Sequence, residues 1–162
     1  MNFLTTTKAG IAAVFTAVTA LLGWQGVMAL VWVIVMALDY ITGTAAAIRC
    51  KSWSSAVARQ GIWHKAGMIA VVIVAFLTDC ALAVICAHIP VGIAWTSIIL
   101  PLVLAWYIIT ELGSILENAV KMGAKVPEWL VKILKISAQA IEQQGDQMEH
   151  EAEAVLPGNP EK

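Results

Sequence analysis

Charge is the scarcest thing in this chain. Asp, Glu, Lys and Arg make up 13% of its 162 residues, about half the share of a soluble domain. Cysteine is scarce as well. Cys50, Cys80 and Cys86 are the three, so they cannot all pair with one another, and they read as small apolar filler. No Cys-x-x-Cys and no Cys/His grouping with metal-ligand spacing occurs, so no metal site is expected. Histidine is limited to His64, His88 and His150, far apart in the sequence. A Gly-rich phosphate loop, an HExxH pattern and a workable Ser/His/Asp set are all lacking. The residues therefore support no catalysis, and neither a cofactor nor a nucleic-acid partner is expected.

What the chain has instead is apolar length. Hydrophobic residues make up 60% of it, and the mean hydropathy is +0.81. Two runs, Ala66–Ala87 and Val91–Ile109, are separated only by His88-Ile89-Pro90. Each has the length a helix needs to cross roughly 30 Å of hydrocarbon. Residues 10–48 form a third apolar stretch, broken by Gly23-Trp24-Gln25-Gly26 and by Asp39. That is too long for one span and divides in two ways. Either a short helix over 9–22 turns at Gly23–Gly26 into a span over 27–48, or residues 1–17 lie at the surface and one span covers about 18–40. Fourteen residues rise only about 21 Å, less than the hydrocarbon thickness. The expected fold is therefore an all-α integral membrane protein. It has transmembrane helices at about 27–48, 66–87 and 91–110, plus a short apolar helix at 9–22. The N-terminus, with Lys8 ahead of an apolar run, superficially resembles a signal peptide, but the run resumes after Gln25, so it reads as retained.

Charge, though scarce, is ordered. Residues 1–135 hold nine Lys/Arg and five Asp/Glu, while residues 136–162 hold one Lys and six acids. The stretch 49–65 carries Arg49, Lys51, Arg59 and Lys65 and no acid, which places it in the cytoplasm. The tip at His88–Gly92 has no Lys or Arg, so it faces the other side. Lys121, Lys125, Lys132 and Lys135 then bring the C-terminus back to the cytoplasm. The N-terminus lies inside if the first helix spans, and outside if it does not. Beyond Glu111, Leu112, Leu116, Val120, Val126, Trp129, Leu130, Ile133 and Leu134 recur at helical spacing. Glu117/Lys121 and Glu128/Lys132 have i,i+4 spacing. Gly123 and Pro127 predict a stop and a new start. This reads as a helix leaving the membrane, a turn, and a helix on the inner surface, together about 115–141. There the four lysines would meet anionic lipid. Residues 1–141 form the membrane domain, and 142–162 an acidic flexible tail that begins as frayed helix.

Some residues are costly to keep in a span. Asp79 lies about 21 Å along its helix from Lys65, and Asp39 sits between Leu38 and Tyr40. Both are candidates for a helix–helix interface or a water-filled path. The alternatives are a protonated packing residue for Asp79 and a headgroup-level position for Asp39. Tyr107, Glu111, Ser114 and Asn118 share one helical stripe, a candidate for hydrogen bonding between subunits or simply the solvated start of a cytosolic helix. Small residues repeat every four positions at Ala9/Ala13/Ala17, Ala12/Thr16/Ala20 and Gly43/Ala47, a pattern that supports helix association in lipid. Five of the seven tryptophans (Trp24, Trp53, Trp63, Trp95 and Trp129) fall near expected interfaces. Trp32 and Trp106 lie deeper.

Three blocks carry a family likeness. The first is Asp39-Tyr40-Ile41-Thr42-Gly43 with its Ala-rich continuation. The second is Ser54-Ser55, Gly61 and Lys65, with an apolar helix leading to Asp79. The third is Tyr107, Glu111 through Asn118 with Ser114 and Glu117, then Met122-Gly123 and Pro127. Over about residues 36–134 the chain resembles the toxin-secretion/phage-lysis holins, the clostridial toxin-export type included. Thr110 stands where that family commonly has Asn. The resemblance implies a non-enzymatic protein of the bacterial inner membrane that self-associates into a homo-oligomer. It would open a lesion for an endolysin or a secreted toxin. It also adds Thr42, Gly43, Lys65 and Glu117 to Asp39, Asp79, Tyr107, Glu111, Ser114 and Asn118 as pore or assembly candidates. A small ion channel or transporter subunit, or a membrane anchor, is the alternative that the buried acids and several spans permit.

Overall fold

The computed structural model describes residues 3–89 and 95–155. Its regular elements are four helices: α1 (Phe3–Arg49), α2 (Ser55–His88), α3 (Ile99–Lys121) and α4 (Glu128–Val155). Three segments, Gly23–Arg49, Ser55–His88 and Ile99–Lys121, are long and apolar enough to cross a membrane. The all-helical fold with three spans is as the sequence implies. Residues 91–94 of the third expected span and 156–162 of the tail lie outside the described residues.

Gly23 divides α1, with φ 63° and ψ −156°, a backbone conformation that only glycine adopts readily. Before it, Ala9, Ala12, Ala13, Thr16, Ala17 and Ala20, the small-residue rows of the sequence, are all exposed. The second helix begins at Ser55, eleven residues before the apolar run. Ser54 caps it, its hydroxyl accepting from the Val57 amide at 3.2 Å. The cap satisfies one of the orphan donors of the first turn, so the helix extends through Arg59 and Lys65.

At the centre of the bundle, α3 packs against each of the other three helices, whereas α1 and α2 barely touch. The core is thin: Trp32 of α1, Met68 and Ala75 of α2, and Leu100 and Leu104 of α3. Outside it the surface is apolar, with Trp63, Leu77, Val74 and Ile41 all more than half exposed. Exposed apolar area on this scale marks a membrane-facing protein.

The start of α3 is set from another helix. Ile98, at the cap position, offers no side-chain hydrogen bond. Asp79 of α2 supplies it. Its carboxylate accepts from the Leu100 amide at 2.8 Å and the Ile99 amide at 3.3 Å. It also accepts from Ser97 Oγ at 2.8 Å and Trp95 Nε1 at 3.3 Å. Gln25 Nε2 of α1 donates to Ser97 Oγ at 2.9 Å. A carboxylate at a helix N-terminus satisfies free amides and meets the positive end of the helix dipole. The helix of the span expected from 91 therefore starts at Ile99, and Trp95, expected near an interface, donates to Asp79.

At its other end α3 closes on Gly123, with φ 92°. The Gly123 amide donates to Val120 O at 2.8 Å and the Ala124 amide to Ala119 O at 3.0 Å. A glycine in the left-handed region commonly ends a helix in this way. A Cβ on Gly123 would lie 3.3 Å from Arg49 Nη2, so the turn also sits against the end of α1. After Pro127, α4 runs back along α3. Gly145 comes beside the Leu102 side chain, and Trp106 Nε1 lies 3.5 Å from Glu142 Oε1. The helices of the expected surface segment thus divide at Gly123. The second lies against α3 and extends to Val155, where the sequence suggested fraying from about 142. Its half-buried seam, Leu130, Leu134, Ile141, Gly145 and Met148, recurs at three- to seven-residue intervals, as helix packing requires. Trp129, Ile133 and Ile136 remain exposed on another face.

Replacing Asp79 with Ala removes the external cap of α3 and is expected to destabilise the detergent-solubilised protein by about 1–2 kcal/mol. Amide exchange at Ile99 and Leu100 should rise most. Unchanged protection there would show that α3 starts without Asp79. Gly123→Ala, strained at φ 92° and crowding Arg49, is expected to lower thermal stability by about 1 kcal/mol.

Candidate functional site

Asp39, Lys65 and Glu111 each lie ten residues from an end of their helix, at Arg49, Ser55 and Lys121. Those ends share one side of the bundle, its basic end. Ten residues correspond to about 15 Å, so the three ionisable side chains reach the same depth on three different spans. There they meet. Lys65 Nζ donates to Asp39 Oδ2 at 3.0 Å and to Glu111 Oε2 at 2.6 Å. Asn118 Nδ2 donates to Asp39 Oδ1 at 3.2 Å and reaches Thr42 Oγ1 at 3.5 Å. Ser114 stands beside the Asp39 carboxylate. Gly43 leaves room for Asn118, whose Nδ2 lies 3.4 Å from where a Cβ would stand. The Glu111 side chain is 5% exposed and that of Lys65 14%.

Lipid explains why these charges converge. An isolated ion inside a span is costly, and hydrocarbon offers no water to solvate it. One ammonium shared by two carboxylates, with Asn118 donating to a remaining oxygen, gives each charge a partner. The attraction is strong because the surroundings are apolar, and for the same reason an orphaned charge is costly there, about 3–5 kcal/mol when one partner of a buried pair is removed.

The second polar node, Asp79 with Gln25, Trp95 and Ser97, lies at the opposite end. Gln25 and Asp39, Lys65 and Asp79, and Ser97 and Glu111 are each fourteen residues apart, about 21 Å along a helix. Between the nodes the contacts are apolar and aromatic. Tyr107 stacks on Trp32 with ring centroids 6.2 Å apart and meets Trp106 edge-on at 5.3 Å.

Of the residues singled out in the sequence, the structure thus joins Asp39, Thr42, Lys65, Glu111 and Asn118 in one cluster, with Gly43 and Ser114 at its edge. Tyr107 belongs to the aromatic layer, and Asp79 to the other node. On the stripe from Tyr107 to Asn118, Glu111 accepts from Lys65 and Asn118 donates to Asp39, both on other helices of the same chain. Glu117, Lys121, Lys125, Lys132 and Lys135 are exposed, and among the described residues none of them forms an ion pair, the i,i+4 pairs included. Gln25, Trp95 and Ser97 were missed. Gln25 did interrupt the apolar run, and that interruption was its only signal. Among the described residues no grouping of His, Cys, Asp and Glu could hold a metal ion. A crevice of about 190 Å³ between α1 and α2 reaches Asp39 and Lys65, passing His64 and the Tyr40 ring, which lies 3.8 Å from the Cβ position of Gly61.

The chain matches the bacteriophage holin family over residues 16–138. An uncharacterized protein of Halalkalibacterium halodurans is 31% identical over 125 residues, which cover 77% of this chain and 88% of that protein. An uncharacterized 14.9 kDa protein of the nagH 3′ region of Clostridium perfringens is 28% identical over 134 residues, covering 83% and 94%. Another uncharacterized protein, from Clostridium perfringens strain 13, is 29% identical over 128 residues, covering 79% and 87%. No solved structure matches the chain. Three spans with their ionisable groups gathered inside, and a family match across all three, lead to one conclusion: the chain belongs to the bacteriophage holin family.

Proposed function

We propose that this protein acts as a holin without enzymatic activity. It accumulates in the bacterial inner membrane with its basic end in the cytoplasm, self-associates, and opens a lesion. An endolysin or a secreted toxin then reaches its target through that lesion. The observation that carries this reading is the Lys65 bridge to Asp39 and Glu111 inside a unit whose outer surface is apolar. The apolar part of the three spans enters lipid readily because the charges within it are tied inward. The same charges are better solvated by water than by any protein interior. An assembly that turns these three spans toward a water-filled opening therefore stabilises the open form relative to the dispersed one, and a change of state requires such a difference. The basic end, with Arg49, Lys51 and Lys121, supports a cytoplasmic placement by the positive-inside rule.

Induced expression in a bacterium carrying a membrane-potential dye tests the reading. Abrupt depolarisation after a delay is expected. Graded leakage from the outset would indicate a small channel or transporter subunit, and no leakage an anchor. Lys65→Met leaves two carboxylates without their cation and should reduce the amount of inserted protein several-fold. The triple variant Asp39→Asn, Lys65→Met, Glu111→Gln removes the charges together. It should insert at the wild-type level and depolarise late or not at all. Depolarisation on the wild-type schedule would exclude the cluster from opening.

Topology is tested separately. With Cys80 and Cys86 replaced by Ala, exposed Cys50 should react with an impermeant maleimide only after the inner membrane is permeabilised. Reaction in intact spheroplasts would invert the arrangement.

A further inference from the structure

A groove of about 750 Å³ runs between α3 and α4. Leu116 and Val120 line it from α3, Val131 and Leu134 from α4. Two cations, Lys121 and Lys135, line it from opposite helices. Both are exposed, and neither forms an ion pair among the described residues. Glu117 is the one carboxylate on the lining, so the wall keeps a net positive charge. Gly113 also lines the groove, and a Cβ built there meets nothing within 4 Å.

We propose that this groove binds one anionic glycerophospholipid, its phosphate on Lys121 and Lys135 and an acyl chain along the apolar walls. The volume falls in the range of small-molecule sites, about 300–1,000 Å³. The orientation fits a lipid. From Lys121 the groove extends along α3 to Ile109, twelve residues or about 18 Å toward the middle of the span. A headgroup held at Lys121 therefore directs its chain the way bilayer lipids already point. Both lysines line the groove and are exposed, and long cationic side chains at a membrane interface lay their stems on apolar surface and turn the ammonium group to the polar side. Charge complementarity selects the occupant: two free cations against one carboxylate favour a phosphodiester with net negative charge over a zwitterion. Lys125 and Lys132, equally close in sequence, are not on the groove and serve as internal controls. The inference needs α3 to span the membrane, but it does not need the protein to open a lesion.

The full chain in mild detergent micelles is titrated with phosphatidylglycerol or with phosphatidylcholine of identical chains, and retained lipid is counted by native mass spectrometry. One phosphatidylglycerol is expected to be retained, with a preference of roughly a factor of five for each lysine. Lys121→Gln with Lys135→Gln should abolish the preference, and Lys121→Arg with Lys135→Arg should keep it. Lys125→Gln with Lys132→Gln should also keep it. Gly113→Leu fills the groove and should lower retention of both lipids while helix content by circular dichroism stays unchanged. Equal retention of the two lipids by the wild type would overturn the proposal. So would equal losses in the two glutamine pairs, which would mean a diffuse basic surface, or normal retention by Gly113→Leu.

Discussion

The structure depends on one ammonium group. Lys65 reaches two carboxylates on two other helices, and among the described residues no other ion pair links the three spans. In water such a bridge would contribute little, because exposed ion pairs are worth about 0–1 kcal/mol. Inside a span the comparison changes. The alternative to pairing is an unsolvated ion, so the pairing geometry becomes a condition for insertion. Helix registry follows from it, because sliding any one helix by a turn separates the charges by about 5 Å.

The bridge alone would leave the other end of the bundle loose. Asp79 and its partners close it, joining α2 to the N-terminus of α3 and, through Ser97 and Gln25, to α1. The core between the nodes is thin, and in lipid apolar contact gives no hydrophobic driving force between helices. Polar nodes therefore carry the specificity that a soluble protein takes from a close-packed interior. Both nodes converge on α3, which explains how α1 and α2 keep their places while barely touching. Close to the lower node, Ser114 stands beside Asp39 and also lines the groove under α4. The groove between α3 and α4 and the ion cluster thus meet at Ser114.

Much of this was legible in the residues. Apolar length predicted three spans, since backbone groups in hydrocarbon must be satisfied within a helix. Gly23 and Gly123 were readable as turns, and Pro127 as a start. Asp39, Glu111 and Asn118 were conspicuous because polar groups in spans are rare. Their meeting was not legible, because no local pattern relates Asp39 to Lys65 or Glu111 across intervening spans. Boundaries were misread where hydropathy and helicity part company. Arg59 and Lys65 end an apolar run but not a helix, since both residue types are good helix formers. The start of α3 was hidden for a different reason: its cap is Asp79, on another element. The course of α4 was ambiguous because its seam of Leu130, Leu134 and Ile141 suits a lipid surface and a neighbouring helix equally well.

The Lys65 cluster ties the three spans together within one chain. A double-mutant cycle between Lys65→Met and Glu111→Gln, read from unfolding of the detergent-solubilised protein, tests that tie most directly. The account predicts a coupling of at least about 1 kcal/mol, with the double variant more stable than Lys65→Met alone. Additive effects of the two substitutions would contradict it.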